Sequence, residues 1–391
     1  MMREIYADHA ATTRPAPEVR DAMLPFLGPR FGNSSSVHRR GEAARDALEA
    51  ARARVAALVG AAPEGIVFTA SGSEANNLAI QGVLACADAS RRRLVISSIE
   101  HPSVIETARH LETRGIPVTV VPVESNGVLD PGRLAEALAA DVALVSVMWV
   151  NNEIGTLQPI AEIARLARAV GARFHCDAIQ AAGKLPIDVE TADLDLLSIA
   201  GHKFHGPPGA AALVVRRRTR LAPLIHGGHQ ERSRRAGTEN LAAAVGLGVA
   251  AERAQRRLAA GEPQRACALG DALLGLLLAR IPTARLNGDR AIRLGSIVNL
   301  RLPGVDGEAA LHELDLEGIT VSTGSACSAA SPGPSHVLLA LGLTPEDAHG
   351  SVRFSLGEDI LESDVDTLVE GTFRAVERLR ALDHGGTVER R

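Results

Sequence analysis

The stretch from 194 to 209 reads LDLLSIAGHKFHGPPG, and it shows the pattern on which the fold is built. Its apolar run through Ile199 predicts a strand buried on both faces, and the closing Gly-Pro-Pro-Gly predicts a tight turn. Lys203 stands between the strand and the turn. Open α/β sheets bind ligands beyond the carboxyl ends of their strands, so a reactive side chain is expected at this place.

Apolar strands of this kind alternate with amphipathic helices along the chain. We predict strands at 65–69, 93–98, 117–123, 142–150, 173–176, 194–199 and 210–215. We predict helices at 42–59, 74–84, 102–113, 131–139 and 160–170. This alternation favours a mainly parallel sheet covered on both faces by helices. After about residue 260, a helix at 265–279 and strands at 295–302, 319–322 and 351–356 predict a smaller α+β domain.

The chain contains only two lysines, Lys184 and Lys203, within a pooled count of 42 Lys and Arg. Arginine stays protonated, whereas a partly desolvated lysine can lose its proton and form a Schiff base. A lysine retained in such a sequence is therefore a candidate for a role that arginine cannot fill. The alternative is a bias toward GC-rich codons that left two lysines by chance.

Composition limits the class of protein. The 391 residues suggest two or three domains, and 46% hydrophobic with 23% charged residues is typical of a globular protein with a large core. No basic block is interleaved with aromatics, so nucleic acid is not an expected direct partner. The four cysteines lack metal-binding spacing and suit a reducing cytosol.

Membrane association is not expected either. The most apolar stretch, 266–281, is interrupted by Asp271 and Arg280 and is too short to span a bilayer. The amino-terminal residues lack the apolar segment of a signal peptide. We therefore expect a cytoplasmic protein.

Small polar residues follow the strand predicted at 65–69. Ser71 and Glu74 have the spacing of a capping box. Gly72 and Ser73 between them would let backbone N–H groups and a hydroxyl surround an anion at a helix N-terminus. The alternative is an ordinary capped helix.

Three further candidates lie at strand ends. Asp177 follows a buried strand, where a carboxylate needs a partner, and a pyridinium N–H of pyridoxal 5′-phosphate (PLP) would be one. A structural cap or ion pair is the alternative. Gln180 could donate to a ring oxygen. His101 could stack on a flat ring and shuttle protons, although a lone histidine is more often structural.

Two candidates lie in the carboxyl-terminal part. Cys327 sits in the small-residue run 322–333, which predicts a mobile, exposed loop from which a thiol could enter a cleft. A packing cysteine at a helix start is the alternative. Arg353 on a predicted strand suits a substrate carboxylate, or else faces outward from its strand. His202 and His205 have a loose metal-like spacing, but no acidic or cysteine ligand accompanies them, which argues against zinc.

Six short segments support one interpretation of these candidates. They are YADHAATT at 6–13, GNSSSVH at 32–38, NNEIG at 151–155, GHK at 201–203, RAGT at 235–238 and GSAC at 324–327. Together, and in this order, they make the chain resemble the cysteine desulfurases of NifS/IscS-like type, within the class V aminotransferase group. The resemblance runs over nearly the whole length.

This resemblance implies a role for each candidate. Lys203 would form the Schiff base with PLP, Asp177 would pair with the pyridine nitrogen, and Cys327 would be the persulfide-forming nucleophile. The other implied roles are phosphate contacts for Gly72, Ser73 and His202, a phosphate contact in the neighbouring subunit for Thr238, ring-oxygen binding for Gln180, stacking and acid/base action for His101, and substrate-carboxylate binding for Asn152 and Arg353. Ala200 stands where many members have Ser, so one phosphate hydrogen bond is expected to be missing.

The resemblance also implies the architecture and the activity. It predicts the type I fold of PLP-dependent transferases, with a mainly parallel seven-stranded sheet in a large domain at 15–260. Residues 1–14 with 261–391 would form the small domain that carries the Cys327 loop. The expected protein is a homodimer that converts L-cysteine to L-alanine and passes sulfur to an acceptor such as an iron–sulfur scaffold protein or a thiolation enzyme. A class V aminotransferase, a selenocysteine lyase and a catalytically silent partner-binding subunit are the alternatives.

Overall fold

The computed structural model describes residues 3–323 and 333–385. The strands are β1 Ile5–Tyr6, β2 Ile66–Thr69, β3 Arg93–Ser97, β4 Val118–Val121, β5 Val142–Met148, β6 Arg173–Asp177, β7 Leu196–Ala200, β8 Ala211–Val215, β9 Arg285–Leu286, β10 Ile297–Arg301, β11 Ile319–Thr320 and β12 Ser351–Ser355. The helices are α1 Pro17–Met23, α2 Arg39–Leu58, α3 Gly72–Ala85, α4 Pro102–Thr113, α5 Pro131–Ala137, α6 Ile160–Ala169, α7 Gln230–Ser233, α8 Leu241–Ala259, α9 Glu262–Arg280, α10 Gly307–Leu316, α11 His336–Ala340, α12 Pro345–His349 and α13 Glu362–Gly385. None of these helices is both long enough and apolar enough to cross a membrane.

Among the described residues, seven strands form the central sheet, in the order β2-β8-β7-β6-β5-β3-β4. β8 runs antiparallel to both of its neighbours, and the remaining pairs are parallel. The short connection through the 206–209 turn explains β8, because a parallel return would need a crossover of a dozen or more residues. The predicted mainly parallel seven-stranded sheet is confirmed.

The sheet is buried on both faces, as its continuous apolar strands predict. Neighbouring residues of one strand belong to different clusters of the core: Leu144 packs on the face of α3 and α4, whereas Val145 packs on the opposite face. Cys176 lies fully buried in the same cluster as Val145, as expected for a core residue. This packing leaves the ends of the strands as the places where polar side chains can gather.

The carboxyl-terminal part has its own small sheets and its own core. β12, β10 and β9 form an antiparallel three-stranded sheet, and β1 pairs in parallel with β11. The second core contains Ile5 and Ala7 together with Leu273, Val298 and Phe354. The amino terminus is thereby joined to the region after residue 260, while the domain division at residues 15 and 261 stays a prediction.

Candidate active site

Three of the predicted residues meet at the carboxyl edge of the central sheet. Asp177 ends β6, Gln180 lies in the turn that follows, and Lys203 lies in a short 3-10 turn directly after β7. Lys203 Nζ donates to the carbonyl oxygens of Ala10 and Ala11, at 2.7 Å each. Gln180 Nε2 donates to the same Ala10 oxygen at 2.7 Å. The Ala10 carbonyl thus joins the amine of Lys203 to the amide of Gln180.

Asp177 is a buried carboxylate whose described donors are uncharged. The Asn76 amide donates to Oδ2 at 2.7 Å, and the backbone N–H of Ile179 donates to Oδ1 at 3.0 Å. No salt bridge to Asp177 occurs within residues 3–323 and 333–385, although the residue is only 4% exposed. Because a buried charge is costly without a counter-charge, this position suits a cationic group of a ligand.

His101 is connected to Asp177 through two side chains. Asn76 Nδ2 also donates to Ser103 Oγ at 2.9 Å, and this hydroxyl lies 2.9 Å from His101 Nδ1. The backbone N–H of Ser103 donates to the same nitrogen at 3.1 Å, so a neutral His101 ring carries its proton on Nε2. Burial lowers the pKa of His101, the charge of Asp177 opposes this, and the charge of Lys203 adds to it.

The first turn of α3 approaches the turn after β6 closely. A Cβ on Gly72 would lie 2.2 Å from Ile179 Cδ1 and 3.5 Å from the Cβ of Ala200, so a larger residue there would require the Ile179 side chain to move. The predicted cap forms: Ser71 Oγ accepts the Glu74 N–H at 3.1 Å. The open amides of this helix N-terminus, next to Ser73, can bind an anion.

His202 lies beside Lys203 in the same 3-10 turn. Its Nδ1 is 3.2 Å from Thr12 Oγ1, a residue of the segment that also supplies the carbonyls bound by Lys203. Burial, and then the positive charges of Lys203 and Lys184, lower the pKa of His202 to about 4. The ring is therefore neutral near pH 7 and can donate one hydrogen bond to a bound anion.

Arg353 lies on β12 and is only 2% exposed, so an outward-facing position is wrong. Its Nη1 donates to the Asn152 carbonyl at 2.8 Å, and its Nη2 forms an ion pair with Asp8 at 2.6 Å. Nε has no hydrogen-bond partner in the described part of the chain. The structure therefore brings Asn152 and Arg353 together, through the Asn152 backbone.

Cys327 lies outside the described residues, but the chain on both sides of it contacts this region. Ser322 exchanges backbone hydrogen bonds with Arg353, at 3.1 and 2.6 Å. On the other side, Ser335 Oγ donates to Glu153 at 2.5 Å, and His336 Nε2 donates to the Glu100 carbonyl at 2.9 Å. The described ends of the segment that contains Cys327 are thus attached next to Arg353, to Asn152 and to His101.

Thr238 lies in a loop that contacts the first turn of α3, where Arg235 donates to Glu74 at 2.9 Å. It is exposed and lines a cavity of about 260 Å³ together with Thr69, Ala70 and Glu231. Lys203 lines a different cavity, of about 60 Å³. Within one described chain, Thr238 and Lys203 thus line two different cavities.

Comparison with known proteins assigns the chain and its fold to a family. Residues 5–368 match the family described as aminotransferase class-V. The chain belongs to this family. A protein named cysteine desulfurase IscS, from Dictyoglomus turgidum, is 44% identical over 382 residues, which are 98% of this chain and 97% of that protein.

Solved structures agree with the class-V assignment. A NifS-like protein has a TM-score of 0.88 and 32% identity, with 96% of this chain and 100% of that chain covered. The structure of SspA in complex with cysteine has a TM-score of 0.78 and 35% identity, with 90% and 98% covered. The family match and these NifS-like structures confirm the predicted type I fold for this chain, and class-V aminotransferases are in general PLP-dependent.

The sequence of this class-V protein did not reveal every polar residue at the site. Asn76 holds both Asp177 and Ser103, yet it lies mid-helix, where its only signal is an amide among the buried residues of α3. Asp8 pairs with Arg353 across 345 positions; it lies in the YADHAATT segment at 6–13, but no role was predicted for it. Lys184 was singled out by its rarity alone.

Proposed function

We propose that the protein is a PLP-dependent cysteine desulfurase that converts L-cysteine to L-alanine and transfers the sulfur to Cys327. The observation that carries this proposal is the placement of the Lys203 amine, the Asp177 carboxylate and the His101 ring at one edge of the sheet. Relatives named cysteine desulfurase, with more than 40% identity over nearly the whole chain, support the choice of reaction.

The residues present fit PLP. The buried Asp177 carboxylate, with only uncharged donors around it, suits a protonated ring nitrogen. The N-terminus of α3, with Gly72 and Ser73, suits the phosphate, and the neutral His202 could add a donor. At Ala200 a methyl group stands where many members of the family have a serine hydroxyl. The phosphate site of this chain would therefore have one donor fewer than theirs.

The chemistry divides between the cofactor and the chain. When bound, PLP supplies an electron-accepting ring that stabilises the negative charge developing on the substrate carbons. Lys203 would hold the aldehyde carbon, and its amine, once released, would remove the proton from Cα of cysteine. His101, with its proton on Nε2, would transfer protons to and from the substrate. Asp177 would keep the ring nitrogen protonated.

The transfer of sulfur to Cys327 needs no external oxidant or reductant. The Cys327 thiolate attacks Sγ of the substrate, the Cβ–Sγ bond breaks and an S–S bond forms. The substrate carbon keeps the electron pair of the broken bond and takes up a proton, which yields L-alanine and a Cys327 persulfide. Attachment of Ser322 at Arg353, and of Ser335 at Glu153, supports the placement of this thiol near the substrate.

Substrate binding is proposed for the Asn152 and Arg353 pair. Arg353 is oriented by the Asn152 carbonyl and by Asp8, so its guanidinium plane is fixed before any substrate arrives. A carboxylate of the substrate would approach this plane and share it with Asp8. The similarity of the chain to SspA, whose solved structure is a complex with cysteine, supports cysteine as the substrate.

The proposal includes two protein partners. A second copy of the chain would bring its Thr238 to the phosphate site, and the exposed position of Thr238 leaves it accessible to such a copy. The persulfide would pass to an acceptor, such as an iron–sulfur scaffold protein or a thiolation protein, in the cytoplasm. The alternatives are a class V aminotransferase, a selenocysteine lyase and a silent partner-binding subunit.

One set of assays separates these functions. The purified protein, incubated with L-cysteine and a thiol reductant, is expected to release equal amounts of alanine and sulfide. Cys327→Ser should abolish this release, and Lys203→Ala should abolish both the release and the yellow absorption of the bound cofactor. An aminotransferase would keep amino transfer to a keto acid after Cys327→Ser, and a selenocysteine lyase would keep release of selenium. A silent subunit would show none of these activities.

A further inference from the structure

The second of the two lysines, Lys184, has no part in the proposed reaction, yet it lies next to the residues proposed to carry that reaction out. It follows Gln180 by four residues in the turn after β6 and is partly buried. Its Nζ donates to Gln180 Oε1 at 2.9 Å and to the Gln180 backbone carbonyl at 3.2 Å. Lys184 therefore contacts both the side chain and the backbone of a residue that the proposed function places at the cofactor ring.

The contacts of Gln180 fix which end of its amide faces which neighbour. The Lys184 ammonium can only donate, so it must face the amide oxygen. The Ala10 carbonyl can only accept, so it must face Nε2, to which it is hydrogen-bonded at 2.7 Å. Nε2 carries two hydrogens, and Ala10 takes one of them. The amide is thus held at both ends, with one N–H left for a ligand.

The contact is made by a compact donor. One ammonium reaches two oxygens of the same residue within a single turn, whereas a guanidinium is a planar fork on a longer side chain. Burial, and then the charge of Lys203, lower the pKa of Lys184 to about 7, so an amine at this place costs stability. Both the charged and the neutral amine can donate to Oε1.

We propose that Lys184 is a positioning residue that holds the Gln180 amide in the orientation in which Nε2 can donate to the ring oxygen of the cofactor. The inference rests on the proposed function, since it assigns a support to one of its binding residues. It explains why both retained lysines lie at the same site: Lys203 for its reactive amine, and Lys184 for its compact donor.

The test measures PLP binding to the cofactor-free protein. The chain has one tryptophan, Trp149, whose backbone N–H donates to the Asp177 carbonyl at 2.9 Å, so its fluorescence should report binding. Lys184→Met is expected to raise the dissociation constant for PLP about tenfold, as loss of one hydrogen bond predicts. In a Gln180→Ala background the same change should have no further effect, because Lys184 then has no amide to hold.

Two further measurements separate positioning from a structural role. The visible absorption maximum of the bound cofactor should move in Lys184→Met in the same direction as in Gln180→Ala. The thermal midpoint of the cofactor-free Lys184→Met protein should equal or exceed that of the wild type, since a costly amine is removed. Arg253→Met is the matched control: it removes a cation from the same cavity but has no contact with Gln180, and it should leave PLP affinity unchanged within about twofold.

The outcomes are distinct. Equal weakening of PLP binding by Lys184→Met in both backgrounds, or no weakening at all, would overturn the assignment of Lys184. If Lys184→Met does not fold, Lys184→Leu, which also lacks a donor, provides the same comparison. A wild-type protein that binds no PLP, or binds it but releases no alanine from cysteine, would instead reject the proposed function.

Discussion

Two carboxyl groups near the sheet edge, those of Asp177 and Glu100, differ in their charge and in their hydrogen bonds. Asp177 accepts two hydrogen bonds and is proposed to face a cation. Glu100 is fully buried beside His101, and burial raises its pKa to about 8, although bonds from Ser97 and Met148 oppose the rise. At pH 7 Glu100 is therefore mostly protonated, so its charge cannot serve the reaction.

This difference predicts unequal effects of removing the two charges. Asp177→Asn keeps the shape of the side chain but loses the charge, so kcat for alanine formation should fall about 100-fold or more. Glu100→Gln replaces a neutral acid by a neutral amide and should change kcat only a few-fold. Steady-state rates at pH 7 test both variants. Equal losses in the two would contradict the assigned roles.

At the scale of elements, α2 and the turn α7 are joined by a buried ion pair. Arg52 bonds Glu231 at 2.7 and 2.8 Å, with side chains only 3% and 1% exposed. Glu231 Oε2 also accepts the Phe68 N–H of β2 at 2.9 Å. α7 contains three consecutive residues with positive φ, beginning at Glu231, a conformation that L-residues adopt at a cost. The ion pair therefore holds a strained turn against the sheet.

Breaking this pair should be more harmful than removing it. Glu231→Gln leaves the buried Arg52 guanidinium with only the half-exposed Glu49 as a counter-charge, so the free energy of unfolding should fall by about 3 kcal/mol. Adding Arg52→Met should restore part of the loss, because no charge then remains buried. Denaturant unfolding of the two single variants and the double variant measures this coupling. Additive losses would show that the pair does not act as a unit.

The sequence predicted those elements whose signals are local. α4 has the predicted bounds, since Pro102 marks its first turn. The strand predicted at 142–150 ends at Met148, because Val150 pairs instead with Leu157 in an isolated antiparallel bridge. No helix was predicted for α8, whose buried face consists mainly of Ala and Gly. A Cβ on Gly248 would lie 2.7 Å from the Cα of Ala51, so α2 and α8 pack through small residues that give no apolar periodicity.

The residues of the site likewise fall into those that local sequence patterns predict and those that they do not. Asp177, Gln180 and Lys203 were found because each follows a strand, and parallel strands bring their carboxyl ends together. The contacts that orient the site join residues far apart in sequence, such as Arg353 with Asp8 and Lys203 with Ala10. Local patterns carry no information about such pairings, so only the folded chain reveals them.

At the scale of the whole molecule, the stability should depend on pH through Glu153. Burial raises the pKa of Glu153 from 4.5 to about 7, although the Ser335 hydrogen bond and the charge of Arg353 oppose the rise. Between these pH values the folded protein keeps a proton that the unfolded chain has lost. The stability that the protonated Glu153 contributes is therefore fully present below pH 4.5 and is lost as the pH rises to about 7.

Glu153→Gln should remove this dependence, because the amide stays neutral and can still accept from Ser335. The stability of the wild type relative to this variant should fall by about 3 kcal/mol between pH 4.5 and 7 and then stay level. Unfolding of both proteins across this range gives the difference directly. A difference independent of pH would mean that Glu153 is ionised in the folded state.

The proposed dimer makes the strongest prediction about the whole molecule. Exposed apolar side chains at Leu27, Phe31 and Val37 lie in a segment bound to the Thr238 loop through the 2.8 Å contact of Ser34 with Glu239. This surface is a candidate for the contact between the two copies. If Thr238 acts across that contact, each site needs Lys203 from one chain and Thr238 from the other.

A mixed dimer tests this arrangement. One chain carries Lys203→Ala and the other Thr238→Ala, with different tags so that the mixed species can be purified. Action across the contact leaves one site with both groups intact, so the mixed dimer should bind one PLP with wild-type affinity and show about half of the wild-type activity per dimer. Action within one chain leaves no intact site, because Lys203 is then paired with the substituted position in the same chain. Activity no higher than that of the Thr238→Ala homodimer, or a protein that stays monomeric, would therefore reject the shared site.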